Sequence, residues 1–255
     1  MADAKLRIAA AFSRAADRYE SQASIQLEVA RRLAARIALW SLPLEPRVLE
    51  IGAGTGFLSR LLLEHIPGGR WLLTDLSEAM LARCRARISD ARVRFAVADA
   101  ENPPPGRYDL IVSSLALQWL VDLGAGLSQL AARLSRGGTL AFATLGQDTF
   151  HEWRAAHSAL GLSCGARSFP SAQDVDAMWP ARGSGALEEE RCRVQYGDAR
   201  AFVRSLKAVG AATSCDGHRP LGPAAFKRVV ESLGPDCTVT YHLLFGRFTA
   251  AGQER

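Results

Sequence analysis

Short apolar runs alternate with helix-like segments from about residue 47 onward, and this alternation limits the possible folds more than any other feature. Five runs have the length and composition of buried strands: 47–51, 71–75, 93–99, 108–114 and 138–145. Helical patterns between them are typical of β-α-β units, whose parallel sheet is covered on both faces. The sequence therefore predicts a doubly wound α/β fold.

The flanking segments complete the predicted architecture. Residues 5–40 have the pattern of two helices, and two more strands are predicted at 188–196 and 238–248. We expect a Rossmann-like, mostly parallel, seven-stranded sheet with N-terminal helices and a helical insertion before the last two strands. One domain over 1–255 would then have four parts: an N-terminal helical lid (1–45), the sheet core (46–145), an insertion or substrate cap (146–186) and the C-terminal part of the sheet (187–255).

Hydropathy and cysteine usage exclude several classes of protein. No apolar run approaches the ~18 residues that span a membrane, and the first residues lack the apolar stretch of a secretory signal. The cysteines are odd in number, widely spaced and without a C-x-x-C pair, which supports neither disulfides nor zinc. His151 and His157 are too far apart for a helical ligand pair. We expect a cytoplasmic protein with no metal and no membrane partner.

The turn after the first predicted strand, E-I-G-A-G-T-G, is the main candidate for a binding site. Glycine tolerates positive φ and lets a ligand approach the main chain, and ligands bind outside the carboxyl ends of strands in such sheets. A tight turn that only packs helix on strand is the alternative. Dinucleotide folds prefer G-x-G-x-x-G, whereas here Phe57 occupies the place of the third glycine.

The G-x-G-x-G spacing resembles motif I of class I S-adenosylmethionine (SAM) methyltransferases. Asp75 ends the second strand, where a carboxylate can accept hydrogen bonds from both ribose hydroxyls. The resemblance implies that Asp99 and Ala100 hold the adenine amino group and that Ser113 lies beside the methionine moiety. The sheet core is then a SAM-binding core, with these predicted contacts: Glu50, Gly52, Gly54, Gly56, Asp75, Asp99, Ala100 and Ser113.

A closer resemblance, to the malonyl-acyl-carrier-protein O-methyltransferases of biotin synthesis, runs from about residue 10 to 248. It is carried by AFSRAADRYESQASIQ (11–26), SSLALQWLVDL (113–123), AFATLGQDTFHEW (141–153), SLKAVGA (205–211) and TYHLLFG (240–246), while 161–186 departs most. The resemblance implies methylation of the free carboxylate of a malonyl thioester on an acyl-carrier protein. A carboxylate is ionised at neutral pH, so the displacement needs no general base, and catalysis depends on positioning and desolvation.

Two candidate catalytic residues lie in these segments. Tyr19 could close over the cofactor and orient a reactant, or it could simply be the aromatic residue of an amphipathic helix. Gln118 follows the fourth strand, from which class I enzymes often reach the transferred methyl group. For its neighbour Trp119, core packing is the favoured interpretation.

Two further candidates are cationic. Lys207 ends a basic stripe that begins at Arg200 with i, i+4, i+7 spacing. The stripe is either a solvated face or places Lys207 against the malonyl carboxylate or the carrier's phosphopantetheine. His242 and Tyr241 point to opposite faces of the last strand, so one of them should point inward. Arg219, on a loop, is another candidate.

The net charge of +5 and the isoelectric point of about 9.2 favour an acidic partner, and an acyl-carrier protein is one. Nucleic acid ranks lower, because aromatic residues are few and no long Lys/Arg cluster occurs. The arginines expected to add to a docking surface are Arg31, Arg32, Arg36, Arg83 and Arg87.

Two rival functions share the SAM motifs. One is a methyltransferase of a free small carboxylic acid, and the other is a SAM-binding assembly factor of respiratory complexes without methyl transfer. Related assembly factors share much of the segment SSLALQW, which therefore discriminates poorly, whereas SLKAVGA and TYHLLFG favour the biotin enzyme.

Overall fold

The computed structural model describes residues 2–215 and 217–252, with side chains from residue 5 onward. The strands are β1 (Arg47–Ile51), β2 (Arg70–Asp75), β3 (Val93–Val97), β4 (Tyr108–Ser114), β5 (Leu134–Leu145), β6 (Gly183–Gln195) and β7 (Thr238–Ala250). The helices are α1 (Ala2–Ala15), α2 (Tyr19–Gln22), α3 (Ser24–Ile37), α4 (Phe57–His65), α5 (Glu78–Arg87), α6 (Leu123–Ala131), α7 (His151–Ala159), α8 (Ala172–Asp176), α9 (Ala199–Ala208) and α10 (Pro223–Leu233). A 3-10 helix covers Leu117–Trp119.

The seven strands form one sheet in the order β3-β2-β1-β4-β5-β7-β6. Strands β1 to β5 pair in parallel, and β7 runs antiparallel between β5 and β6. The predicted mostly parallel, seven-stranded sheet is therefore confirmed. Because β1 pairs with β2 on one side and β4 on the other, the strand order switches there, and such a switch leaves a ligand crevice at the carboxyl ends.

Two strands begin well before their predicted first residues. β5 begins at Leu134 and not at 138, and β6 begins at Gly183 and not at 188. In β6 the cause is long-range pairing, since the strand pairs with β7 from Gly183 onward along its whole length. Ladder hydrogen bonds use the backbone, so they extend through small residues that give no strand pattern in the sequence. The predicted insertion over 146–186 therefore contains α7, α8 and the start of β6.

Both faces of the sheet are buried, as a parallel sheet requires. Successive residues of β1 serve opposite faces. Val48 packs in a core with Leu33 of α3 and Leu62 of α4, whereas Leu49 packs on the other side with Leu127 of α6. All five of these side chains are almost completely buried. The glycine turn that follows β1 is thus held between two rigid layers.

The N-terminal segment forms three helices where the sequence predicts two. A break after Ala15 and another at Ala23 separate the short helix α2 from its neighbours. Helix α3 buries its apolar face against α4, while α1 reaches the carboxyl ends of the strands. There the hydroxyl oxygens of Ser13 in α1 and Ser77 before α5 lie 2.8 Å apart. Helix α1 therefore covers the crevice at the strand-order switch.

Candidate active site

The turn after β1 combines three glycines with positive φ, and the structure separates their roles. The φ angles are 69° at Gly52, 56° at Gly54 and 94° at Gly56. A Cβ at Gly54 would meet no atom within 4 Å, so its main chain faces open space. A Cβ at Gly56 would lie 2.9 Å from Sγ of Cys84, which places Gly56 in helix packing. The absence of side chains in this turn thus leaves room for a ligand at Gly54 and lets α4 pack closely on α5 at Gly56.

Asp75, at the end of β2, is fixed beside this turn. Its Oδ2 accepts a hydrogen bond from the Gly54 amide at 2.9 Å, and its Oδ1 accepts one from the Ser77 amide at 2.8 Å. Burial raises the pKa of Asp75, although these amides oppose the shift. Each carboxylate oxygen retains a second acceptor site, so the side chain can also accept hydrogen bonds from a ligand.

Asp99 lies after β3 and is held by α1. Its Oδ2 accepts a hydrogen bond from Nζ of Lys5 at 2.6 Å, and Lys5 also pairs with Glu101. Burial lowers the pKa of Lys5, but its hydrogen bonds to these two carboxylates raise it more. The N-terminal helix is therefore tied to the crevice by charge as well as by packing.

A cavity of about 800 Å³ lies among these residues. Five of the eight predicted SAM contacts line it: Gly52, Gly54, Asp75, Asp99 and Ala100. The lining carries two carboxyl groups, from Asp75 and Asp99, and one ammonium group, from Lys5. We call this space the cofactor cavity.

The other three predicted contacts lie behind the lining. Glu50 is buried and accepts a hydrogen bond from the Ser59 hydroxyl at 2.6 Å, and burial raises its pKa to about 8. Ser113 is buried and donates to the Ile51 carbonyl at 2.9 Å. Its neighbour Ser114 lines the cavity, because alternate residues of a strand face opposite sides.

A second and larger cavity, of about 1620 Å³, adjoins the first. The two share four lining residues: Phe12, Tyr19, Leu115 and Trp119. We call the second space the acceptor cavity and the four residues the junction. A group transferred between molecules in the two cavities would pass at the junction.

Two aromatic residues with alternative interpretations, Tyr19 and Trp119, both lie at the junction. Tyr19 lines both cavities, and its hydroxyl has no hydrogen-bond partner among the described residues. Burial, with the nearby charge of Asp75, raises the pKa of Tyr19, so this hydroxyl stays protonated at neutral pH. The favoured core-packing interpretation of Trp119 is wrong: the ring is half-buried in the cavity wall, in edge contact with Phe12 at 5.5 Å between centroids.

The acceptor cavity is cationic. Arg167, Lys207, His157 and His218 line it, and none of its described lining residues is Asp or Glu. Arg167 lies beside the junction residue Trp119, with its guanidinium carbon 5.5 Å from the ring centroid. No ion-pair partner for Arg167 or Lys207 occurs in the described part of the chain. The two cavities therefore differ in charge, one bearing carboxylates and the other only cations and neutral groups.

Comparisons with known proteins identify the family of this fold and site. A family model described as a methyltransferase domain matches residues 49–140. A malonyl-[acyl-carrier protein] O-methyltransferase of Magnetococcus marinus is 41% identical over 98% of this chain and 94% of its own length. The chain belongs to the malonyl-[acyl-carrier protein] O-methyltransferase family. This membership shows a SAM-dependent methyltransferase, as the sequence predicts, and sets aside the assembly factor without methyl transfer.

Two further similarities show how much of a longer relative this chain matches and which fold it shares. The bifunctional biotin biosynthesis protein BioCD of Bordetella avium is 40% identical over 94% of this chain and 52% of its own length. The crystal structure of YcgJ from Bacillus subtilis is 14% identical and superposes with a TM-score of 0.65, over 88% of this chain and all of that one. At that identity the second likeness shows the fold alone.

The cofactor of this methyltransferase is SAM, and the cofactor cavity suits it. SAM carries a sulfonium, an ammonium and a carboxylate group, with a net positive charge, together with a ribose and an adenine. The open main chain at Gly54 leaves room for such a ligand, and the carboxyl groups of Asp75 and Asp99 provide acceptors and negative charge.

Some of the remaining candidate catalytic and substrate-binding residues line the acceptor cavity, and others do not. Gln118 lines the acceptor cavity, and its Nε2 donates to the Leu115 carbonyl at 2.6 Å. Lys207 lines the same cavity from α9. His242 lines neither cavity: it is buried, with Nε2 2.8 Å from Glu189 Oε2. Tyr241 is therefore the residue of β7 that faces the acceptor cavity, and exposed Arg219 lines neither.

Sequence reasoning missed Arg167 in this methyltransferase. It lies in 161–186, the segment that departs most from the family, and no periodicity marks it. Arg154 of α7 fixes the segment by donating to the backbone carbonyls of Ala166 and Arg167. The only sequence signal is a lone arginine in a Gly- and Ser-rich stretch.

Most arginines of the predicted docking surface are engaged within the protein. Arg32 and Arg36 pair with Glu190 of β6 at 2.5 and 2.6 Å, and Arg87 pairs with Glu20 at 3.0 Å. Arg83 pairs with Asp17 of α1. Only Arg31 of the five lacks an ion pair among the described residues. As a set they do not form the free basic surface that the sequence predicts, because acidic residues distant in sequence fold against them.

The structure also bears on membrane-spanning helices, metal sites and disulfides. Among the described residues, no helix is long and apolar enough to cross a bilayer, and no cluster of His, Cys, Asp or Glu has the composition of a metal site. All five cysteines are free thiols.

Proposed function

We propose that this methyltransferase methylates the free carboxylate of a malonyl thioester carried on an acyl-carrier protein, giving the methyl ester that enters biotin synthesis. The observation that carries the proposal is the charge difference between the adjoining cavities. A cofactor cavity with carboxyl groups suits a cationic methyl donor, and an acid-free, cationic acceptor cavity suits an anionic acceptor.

Bound SAM supplies an electrophilic methyl group, and the protein has to align a nucleophile with it. A malonyl carboxylate is already ionised at neutral pH, so no general base is needed. The junction residues Phe12, Leu115 and Trp119 are apolar and exclude water where the reactants meet. Removing water from a carboxylate while holding it in line is a sufficient source of acceleration.

We assign the alignment of the acceptor to Arg167 and Tyr19. The planar guanidinium can hold one carboxylate oxygen in a charge-assisted hydrogen bond and leave the other oxygen to attack. Its position over Trp119 puts that carboxylate at the junction. The protonated hydroxyl of Tyr19 faces the same place and can donate to either reactant.

On the cofactor side, we assign Asp75 to the ribose hydroxyls and Asp99 with Ala100 to the adenine. The main chain at Gly52 and Gly54 would face the ligand. Glu50, Gly56 and Ser113 hold the turn, through the Ser59 and Ile51 hydrogen bonds and the Cys84 contact, and are not proposed as direct contacts. Neither is His242 proposed as catalytic.

A tethered acceptor fits the acceptor cavity better than a free small acid. The cavity is larger than the cofactor cavity and extends from the junction to Lys207. Oε1 of Gln26, on its wall, is buried without a hydrogen-bond partner in the described chain. An amide N–H of a pantetheine arm would satisfy it. A reduced cytoplasm, where carrier proteins work, agrees with the free cysteines.

The direct test is intact-mass analysis of malonyl-acyl-carrier protein after incubation with this protein and SAM. Acetyl-carrier protein and free malonate are the controls. A gain of one methyl group on the malonyl form alone is expected. Methylation of free malonate at an equal rate would support the small-acid rival. Absence of transfer to every acceptor, with SAM bound, would overturn the proposal.

A further inference from the structure

A basic groove lies on the outer surface between helix α1 and the end of α9. Its described lining includes Arg7, Arg14, Asp17, Arg18 and Lys207, and it encloses about 1580 Å³ up to the surrounding solvent. We call it the α1–α9 groove. Arg14 and Arg18 line neither the cofactor cavity nor the acceptor cavity.

The groove has an excess of positive charge that the protein does not neutralise. Its acidic residue, Asp17, forms an ion pair with Arg83 of α5. Arg14, Arg18 and Lys207 are exposed and have no ion-pair partner in the described chain. Two half-buried arginines of α3, Arg32 and Arg36, are instead paired with Glu190 of β6. Three cations without an ion pair among the described residues therefore line this one groove.

The groove also adjoins the acceptor cavity. Lys207, Ala212 and Thr213 line both spaces, so a thin wall separates them. The wall is packed directly on α1: a Cβ at Gly210 would lie 3.0 Å from the Ala11 carbonyl oxygen. A flexible arm that enters beside Lys207 would reach the junction through the acceptor cavity.

We propose that the α1–α9 groove is the docking surface for the acidic carrier protein, with Lys207 facing the phosphodiester that joins the carrier to its arm. The inference rests on the proposed function. It follows from charge complementarity and from the lining residues that the groove shares with the acceptor cavity. An anionic carrier seated there would need no rearrangement of the ion pairs that occupy the other predicted arginines.

The test compares two charge reversals of equal size. Arg14→Glu/Arg18→Glu changes the groove, and Arg31→Glu/Arg94→Glu is the matched control. Arg31 and Arg94 are exposed, lack ion pairs among the described residues and line neither cavity nor the groove. Arg31 also belongs to the docking surface that the sequence predicts. Thermal unfolding and SAM affinity verify the fold, and Arg14→Gln/Arg18→Gln is a milder second variant.

The first readout is binding of the holo-carrier without a malonyl group, measured by calorimetry, which needs no turnover. We expect the groove variant to weaken binding at least about tenfold and the control less than about twofold, since reversing rim charges replaces attraction by repulsion. Equal weakening by both pairs, or no effect of the groove pair, would overturn the inference.

The second readout separates this inference from the proposed function. Malonyl-pantetheine, which has neither the carrier nor the phosphate, should be methylated equally by wild type and the groove variant. If wild type methylates no malonyl thioester, the proposed function fails, whereas the calorimetric result still decides the docking surface.

Discussion

The guanidinium carbon of Arg167 lies 5.5 Å from the ring centroid of Trp119, at the boundary between the cofactor and acceptor cavities. A cation over an indole face is held in place by the ring's electrons. The donors that point away from the ring stay available, because no described acidic residue pairs with Arg167. This arrangement keeps a permanent positive charge beside the point of transfer.

We therefore expect Arg167→Gln to reduce kcat/KM for malonyl-carrier protein by at least about a hundredfold. A hydrogen bond to a charged group contributes roughly 1.5–3 kcal/mol, and its loss would also misplace the nucleophile. The dissociation constant for SAM should stay within about twofold. Arg167→Lys should recover part of the rate, because the charge remains but the planar fork is lost. Steady-state kinetics and calorimetry measure these effects.

Arg200→Gln is the matched control for that experiment. The guanidinium of Arg200 also lies over a ring, 5.7 Å from the centroid of Phe226, but it lines neither cavity. Its substitution should leave kcat/KM within about threefold, the range of an exposed surface change. Similar losses in both variants would show that Arg167 acts only through packing.

The contrast between Arg167 and Asp75 shows what the sequence could predict. Asp75 follows a clear strand, so the fold rule that ligands bind at strand ends locates it, and the structure places it in the cofactor cavity. Arg167 reaches the site from an irregular segment, held by Arg154 across thirteen positions. Contacts of that kind carry no periodic signal, so only the three-dimensional arrangement reveals them.

Contacts between distant residues also explain why the predictions for the docking surface and for β7 were incomplete. Arg36 looks free in the sequence because its partners, Glu188 and Glu190, are more than a hundred positions away. Alternation correctly separates Tyr241 from His242 but gives no information on which face holds the substrate. The helices around the sheet decide that, and they leave the cavity on the side of Tyr241.

Asp75→Ala should weaken SAM binding at least about tenfold, because two hydrogen bonds to a charged acceptor are removed. The two backbone amides of Gly54 and Ser77 would also lose their acceptor. Calorimetry on the folded fraction, verified by circular dichroism, gives the dissociation constant. Asp109→Ala, at the other end of the sheet, is the control, and its own carboxylate also accepts a backbone amide, that of Arg47. Unchanged SAM affinity in Asp75→Ala would refute the ribose assignment.

Lys207→Ala should raise the apparent KM for malonyl-carrier protein several-fold and leave SAM affinity intact, since Lys207 lines the acceptor cavity and the groove but not the cofactor cavity. Arg204→Ala is the control from the same basic stripe, because Arg204 is exposed and lines none of these spaces. If the two variants raise KM equally, the stripe acts as a diffuse charged face. If only SAM affinity falls, the placement of Lys207 is contradicted.

The buried carboxyl group of Glu50 should make the free energy of unfolding depend on pH. Burial raises its pKa from 4.5 to about 8, so the native state keeps a proton that the unfolded chain releases. Between pH 4.5 and 8 the unfolded state binds fewer protons, and stability should therefore fall as pH rises, by at most about 1.4 kcal/mol per pH unit from this group. Below pH 4.5 both states are protonated and this contribution to the slope vanishes.

Glu50→Gln removes the ionisation and keeps an oxygen that can accept the Ser59 hydrogen bond. Urea unfolding at pH 5, 6, 7 and 8 should show the variant gaining stability over wild type as pH rises, with the largest difference at pH 8. Glu64→Gln, an exposed change on α4, should follow the wild-type curve. A constant difference between Glu50→Gln and wild type across this range would contradict the raised pKa, because it would mean that Glu50 is ionised in the native protein.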